Sequence, residues 1–369
     1  MVEDPGALNF LAPLVDMLIE QDVSLVIFGV GVGARQLSER GYLVIQPPSE
    51  QDAEKILRAY GCNLLIIGTC EDKHTPAFGL VRAARLAGIQ TLGVVDAAVN
   101  AQFRFRGSSD VPLAHVPDWM IVPDEATADA FDQLGFPRDR ISIVGHPARD
   151  LARRRSQSLR LAVDDGCHAR TQDKYRIVFV SELSDGLDQG QYTRSKDYTL
   201  MGRGNSSART AIVAEELLDA LSALRDHHGI NSTLVLRLHP KQAKSDLGAL
   251  SDEFDEVSIG GDPLEVVATS DLVVGMTSML LLQASDMGLN CLSILPREQE
   301  KAWLPDVALG VIPSVTERSS LRVALLNLLL SYPESGIAQE SLETRPDAVA
   351  AMMAFIVDIH AHGSPNVRG

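Results

Sequence analysis

Cysteine is scarce: four residues in 369 (Cys62, Cys70, Cys167 and Cys291), none at CxxC spacing. That pattern excludes a zinc ribbon or a disulfide framework and makes a reducing, cytoplasmic setting the default expectation. Cations are short too, with 33 Lys and Arg against 49 Asp and Glu, a formal net charge of −16 and a pI near 5.0. Such a chain lacks the basic surface that sequence-independent nucleic-acid binding needs. An anionic ligand must therefore find a locally basic or dipole-lined pocket. Aromatic residues make up 5%, with Trp119 and Trp303 the two tryptophans, so no stacking platform for bases is expected. No apolar run reaches the roughly 18 residues of a membrane span, and no signal peptide opens the chain. No Asp-x-Asp pair is present to hold a divalent ion, and no metal site is expected.

What is there is alternation. Leu8, Leu11, Val15 and Leu18 recur at helical spacing over about residues 7–20, and Val23–Phe28 reads as a buried strand running into Gly29–Val30–Gly31–Val32–Gly33. Strands are expected at 42–45, 64–67, 91–95, 119–122 and 141–144, with helices at 50–60, 75–87 and 126–134 between them. A second alternation runs from Arg176–Ser181 through strands at 232–238, 257–259, 272–274, 291–295 and 310–312, with helices at 211–225, 263–268, 280–287 and 321–330. A last amphipathic helix covers about 347–359. Repeated βαβ units mean parallel sheets, an α/β fold. Two domains follow, residues 1–148 and 174–345. Between them lies an arginine-rich exposed connection at 149–173, and a C-terminal helix and tail occupy 346–369. Glu3–Asp4–Pro5–Gly6 reads as the turn after a strand, yet only Met1 and Val2 precede it. Either the central first strand of a doubly wound sheet is missing or the opening is built differently.

Two strand-end turns carry the chemistry. Leu236–Arg237–Leu238 runs into His239–Pro240, and Leu272–Val273–Val274 runs into Gly275–Met276–Thr277–Ser278 and a helix. Open α/β sheets bind ligands at the carboxyl ends of their strands. Thr277 and Ser278 at a helix start suit a phosphate, through N–H groups, hydroxyls and the helix dipole, although simple N-capping is the plain alternative. His239 could donate to a phosphate or, as imidazolium, offset charge on a leaving group; it could equally be a satisfied strand-end histidine. Lys241 would add a cation. Asp96 ends a strand and is followed by Asn100 and Arg104; it could be the general base that deprotonates a hydroxyl, or a turn cap. Asp4 is the rival base. His146, also before a proline near the end of the first half, could be a ligand residue or have a structural role at the cleft rim, and it is left out of the candidate site. Glu182 and Asp185 open a polar, glycine-containing stretch reaching about Ser207, read as a lid or an acceptor-recognition insert. The Gly29–Gly33 run has G-x-G-x-G rather than G-x-G-x-x-G spacing and no acidic strand end about twenty residues on. A glycine turn, rather than dinucleotide binding, is expected there.

Asp4–Pro5–Gly6 before a helix carrying Leu11–Ala12–Pro13–Leu14, Ile143–Val144–Gly145–His146–Pro147, His239–Pro240 and Thr277–Ser278 together resemble the GT-B superfamily. That group holds nucleotide-sugar glycosyltransferases, CDP-glycerol glycerophosphotransferases and non-hydrolysing UDP-N-acetylglucosamine 2-epimerases. The His-Pro pair followed by a hydroxyl-rich turn looks most like bacterial sialyltransferases and glycerophosphotransferases, which use cytidine-nucleotide donors. The epimerases carry a His-Arg motif in the first turn of the second domain, where this chain has Ser181–Glu182–Leu183–Ser184. The resemblance implies two Rossmann-like domains facing across a cleft, with the donor nucleotide held mainly by the second. It implies transfer of a sugar or phosphoalcohol from a nucleotide-activated donor to a hydroxyl acceptor, in polysaccharide or glycoconjugate synthesis. No cofactor beyond the donor is expected. In that reading His239, Lys241, Gly275, Thr277 and Ser278 hold donor phosphate, and Asp96 or Asp4 is the base. Asn100, Arg104, Glu182 and Asp185 lie on the acceptor side or lid. A 2-epimerase and a non-catalytic nucleotide-binding protein are the alternatives.

Overall fold

The structure is a computed structural model and describes residues 1–165, 174–183, 189–331 and 347–362. Two compact units emerge. The first holds Met1–Asp150 and the C-terminal helix Ala348–His362; the second begins at Leu151. Residues 149–165 of the expected connection continue a helix that starts at Pro147. Within it Arg153 pairs with Asp286 at 2.7 Å and Arg155 pairs with Asp262, both inside the second unit. Residues 166–173 lie outside the described residues.

In the first unit the strands are β1 (Ile27–Phe28), β2 (Val44–Ile45), β3 (Leu64–Gly68), β4 (Gln90–Val94), β5 (Trp119–Val122) and β6 (Ile141–Ile143). β1 pairs with β2, and β3–β4–β5–β6 run in that order, all parallel. Met1 and Val2 fill the gap between the two sets. Val2 bridges Gly29 in parallel and donates to the Phe28 carbonyl at 3.0 Å; Met1 N donates to Ile66 O at 2.7 Å and Met1 O accepts from Gly68 N at 3.0 Å. The place of the central first strand is thus held by these two residues, and Asp4 follows it at a strand end.

Two expectations shift here. Val23–Val26 do not extend β1: Val23 and Leu25 are exposed after a turn at Asp22, which has φ 56°, and they pair with no strand among the described residues. Gly31–Gly33 is not a free turn but the start of a helix, Gly31–Glu39. Gly33 N donates to Glu3 O at 2.8 Å, and a Cβ there would lie 2.7 Å from that oxygen, so the glycine serves a close backbone approach. The C-terminal helix packs on this unit through Met352 and Ile359, with Phe355 edge-on to Trp119 at 6.0 Å.

The second unit contains β7 (Tyr175–Val180), β8 (Ser232–Arg237), β9 (Glu256–Ser258), β10 (Leu272–Gly275), β11 (Cys291–Ile294) and β12 (Ser314–Val315). They form one parallel sheet ordered β12–β11–β10–β7–β8–β9. Their near-continuous apolar runs suit strands buried on both faces; β10, β11 and the last four residues of β7 are fully buried. This is the doubly wound order, and its switch point falls between β7 and β10, where ligand crevices form at the strand carboxyl ends. The last strand sits at 314–315 rather than 310–312, because Pro305–Ala308 forms a helical turn and residues 309–312 turn back behind it.

Candidate functional site

In the second unit β8, β7 and β10 are neighbours, so three turns lie side by side at their carboxyl ends: Leu238–His239–Pro240, Ser181–Glu182 and Gly275–Ser278. Gln242 stitches the first two together. Its Nε2 donates to Glu182 O at 2.8 Å, while its Oε1 accepts from Ser181 Oγ at 2.8 Å and from His239 N at 3.0 Å. His239 is half-buried, and its Nδ1 accepts the Lys241 N–H at 3.2 Å. A neutral ring held that way carries its proton on Nε2, where it can donate. Lys241 is exposed.

The third turn is occupied by the chain itself. Ser278 caps the helix Met279–Asp286 by accepting from Leu280 N at 3.2 Å, the capping role. Thr277 donates twice to Glu182: its N–H to Oε1 at 2.5 Å and its hydroxyl to Oε2 at 2.9 Å. Arg209, 1% exposed, also donates to Glu182 Oε2 at 2.9 Å. Its Nη2 also donates to Thr277 Oγ1 at 3.4 Å; two further contacts run to Glu300 Oε2 at 2.5 and 2.8 Å, and Arg297 donates to Glu300 Oε1 at 2.6 Å. Both guanidinium groups lie 5.4 Å from the Trp303 ring centre. Burial alone would lower the Arg209 pKa, but the Glu182 and Glu300 carboxylates outweigh it and the group is held above its usual range. Arg297 ends the chain of ion pairs on the carbonyls of Gly190 and Gln191, at 2.9 and 2.7 Å.

Glu182, expected at the edge of a lid, therefore sits inside the strand-end site and caps the turn expected to hold phosphate. The described part of that stretch, 189–207, is docked. Leu200 and Tyr198 are buried, Thr193 bridges Ala208, and the buried Glu216 accepts from Gly202 N at 2.8 Å. Asp185 lies outside the described residues. Arg209, Glu300 and Arg297 were not singled out from sequence, since an arginine opening an apolar helix reads as a solvated cap. Arg297 and Glu300 lie in the polar run Arg297–Glu298–Gln299–Glu300–Lys301, which reads as a solvated loop, so nothing in the linear pattern marks those two as buried.

The first unit carries a separate set. Asp96 lies against the start of the helix Pro5–Glu20, so close that a Cβ on Gly6 would fall 2.1 Å from its Oδ2. Its Oδ1 is 3.5 Å from Arg104 Nη2, and Arg104 is 8% exposed. Neither Asp96 Oδ1 nor Arg104 Nε has a hydrogen-bond partner among the described residues. Burial tends to lower the Arg104 pKa, but Asp96, Glu71 and Asp4 raise it overall. Asn100, in the left-handed region at φ 61°, donates to Glu71 Oε1 at 2.7 Å. His146 is buried against Phe10, its Nδ1 accepts from Ala148 N at 3.2 Å, and burial lowers its pKa to about 4 against a smaller opposing pull from Asp96. Asp96, Asp4, Asn100 and Arg104 are thus gathered at one end of the first sheet, with His146 a neutral wall. Among the described residues no group of three or more His, Cys, Asp or Glu is placed to hold a metal ion, and no helix is long and apolar enough to cross a membrane.

Comparison of the sequence with protein-family models and with curated proteins finds no match. Solved structures of similar fold are found. UDP-GlcNAc 2-epimerase from Methanocaldococcus jannaschii is 11% identical, with a TM-score of 0.62 over 96% of this chain and 98% of that one. The Neisseria meningitidis UDP-GlcNAc 2-epimerase, solved bound to UDP-GlcNAc, is 11% identical with a TM-score of 0.60 over 96% and 98%. A glycosyltransferase from Rickettsia africae is 11% identical with a TM-score of 0.58 over 99% and 97%. At such identities the likeness is one of fold: two Rossmann-like units, the GT-B-like architecture.

Proposed function

We propose that this chain is a nucleotide-sugar enzyme whose second unit binds the nucleotide at the carboxyl ends of β8, β7 and β10. The observation that carries the reading is the convergence of His239, whose Nδ1 accepts the Lys241 N–H, and the Thr277–Ser278 helix start at the carboxyl ends of neighbouring strands beside the switch point of a doubly wound sheet. Proteins of similar fold have been solved in complex with UDP and with UDP-GlcNAc.

Within that class we favour transfer of a sugar or phosphoalcohol to a hydroxyl acceptor. His239 and Ser278 then hold the donor phosphates with Lys241 nearby, and Asp96 or Asp4 of the first unit removes the acceptor proton. Fixed donors aimed at a leaving phosphate stabilise developing charge without a divalent ion. A 2-epimerase fits the fold equally well, and the epimerase structures among the similar folds are the observation in its favour. The Ser181–Glu182 pair, in place of a His-Arg motif, favours the transferase.

A thermal-shift panel of CMP, CDP, UDP, GDP and their sugars tests the nucleotide site. A ligand at 100 times its Kd stabilises by about 2.7 kcal/mol, and His239→Ala and Ser278→Ala should each shrink the response while His146→Ala leaves it intact. No shift with any nucleotide sinks the reading. Incubation with UDP-GlcNAc alone separates the two chemistries: epimerised product without an acceptor means the 2-epimerase.

A further inference from the structure

Three donors converge on one carboxylate at the switch point. Glu182 takes the Thr277 N–H on one oxygen and the Thr277 hydroxyl and Arg209 Nη1 on the other. We propose that Thr277 and Arg209 form an anion seat which Glu182 fills as a stand-in, and that a nucleotide phosphate binds by displacing the Glu182 carboxylate. The proposal rests on the nucleotide reading above and adds to it a phosphate-pairing cation, Arg209, and an internal competitor, Glu182.

The surroundings are built for such an exchange. The Glu182 backbone is held apart from its side chain: its carbonyl accepts from Gln242 Nε2 at 2.8 Å and from Thr210 Oγ1 at 2.6 Å. The carboxylate can therefore rotate away without moving the chain. Its side chain is 14% exposed and has a way to water, whereas Arg209 and Glu300 are 1% and 0% exposed and have none. Arg209 keeps both contacts to Glu300 when Glu182 leaves, so its guanidinium stays in place. The vacated contacts are two N–H donors and a hydroxyl, the set that suits a phosphate oxygen. Ser278 stays on Leu280 N, which preserves the helix start through the exchange. A phosphate in the carboxylate's place also avoids two anions sharing one set of donors, as an added anion beside Glu182 would have to.

The competing view makes Glu182 a permanent clasp, in which case ligand phosphate never touches Thr277. Calorimetric titration of the full chain with UDP and, separately, with CMP distinguishes them. Glu182→Gln removes the competing charge, and Glu182→Asp keeps the charge but is one methylene too short to reach Thr277. Both should bind the nucleotide that the unsubstituted protein binds about tenfold more tightly. Equal or weaker binding by both folded variants overturns the displacement and leaves the nucleotide reading standing. Absence of binding to either nucleotide in every protein overturns both. Should the variants fail to fold, a crystal structure of the unsubstituted protein with its nucleotide decides. Glu182 off Thr277 with phosphate in its place supports the proposal; Glu182 still on Thr277 N refutes it.

Discussion

His146 shows how one residue's surroundings set a pH dependence for the whole first unit. Its imidazole is buried, and its pKa lies near 4 when folded against about 6.5 in the unfolded chain. The unfolded chain therefore takes up a proton first as pH falls. Stability from keeping this ring neutral is complete above about pH 6.5 and declines as pH drops toward 4. The gap corresponds to about 3 kcal/mol. Urea unfolding of the first unit followed from pH 7 to 4 should show this loss, and His146→Asn, which keeps an acceptor for Ala148 N, should flatten it. Gly6 is a second single-residue test. A methyl group there meets Asp96 Oδ2 at 2.1 Å, so Gly6→Ala must push Asp96 aside or move the helix. A loss of about 1–3 kcal/mol, typical of overpacking, is expected. An unchanged melting temperature would mean that Asp96 does not pack there.

Among the elements, the helix Arg209–His228 works hardest, because its first turns bind the site and its next turn anchors the preceding loop. Glu216 is 1% exposed and takes Arg318 through two bonds at 2.7 Å. Arg318→Met would leave that carboxylate buried with backbone N–H donors alone. A buried charge stripped of its partner costs about 3–5 kcal/mol, less here because Arg318 itself is half exposed. About 2 kcal/mol in chemical denaturation is the expected loss, and a value near zero would show that water substitutes for Arg318. This scale is also where sequence and structure part company. Strands buried on both faces, such as β5 and β10, are legible because apolar runs bounded by turns have one solution. The linear pattern overextends β1 because Val23, Leu25 and Val26 are apolar yet meet no partner strand among the described residues, and pairing is invisible in such a pattern. The turns after β8 and β10 were legible as site elements from their His-Pro and Thr-Ser endings. The carboxylate that joins Thr277 to Arg209 was not, since Glu182 lies 95 residues from Thr277 and 27 from Arg209.

For the molecule as a whole, chain order and structural membership differ. The C-terminal helix follows the second unit in sequence but belongs to the first. It buries Ala348, Val349, Met352 and Ile359 at 3% exposure or less and packs Phe355 on Trp119. Each large apolar side chain among them contributes on the order of 1.5–3 kcal/mol. Deleting residues 345–369 should lower the unfolding transition of the first unit by well over 5 °C and leave that of the second nearly unchanged. Calorimetry resolves the two, and an equal fall in both would mean that the units unfold as one. The run from Glu182 through Arg209 and Glu300 to Arg297 has a thermal corollary. Taking charges out of water becomes less costly on warming, because ion hydration carries a strongly negative entropy, whereas apolar burial gains little more. The interior of the second unit thus contains a part that grows relatively stronger with heat, and replacing Arg297 and Glu300 by apolar residues should be better tolerated in the cold than near the melting temperature.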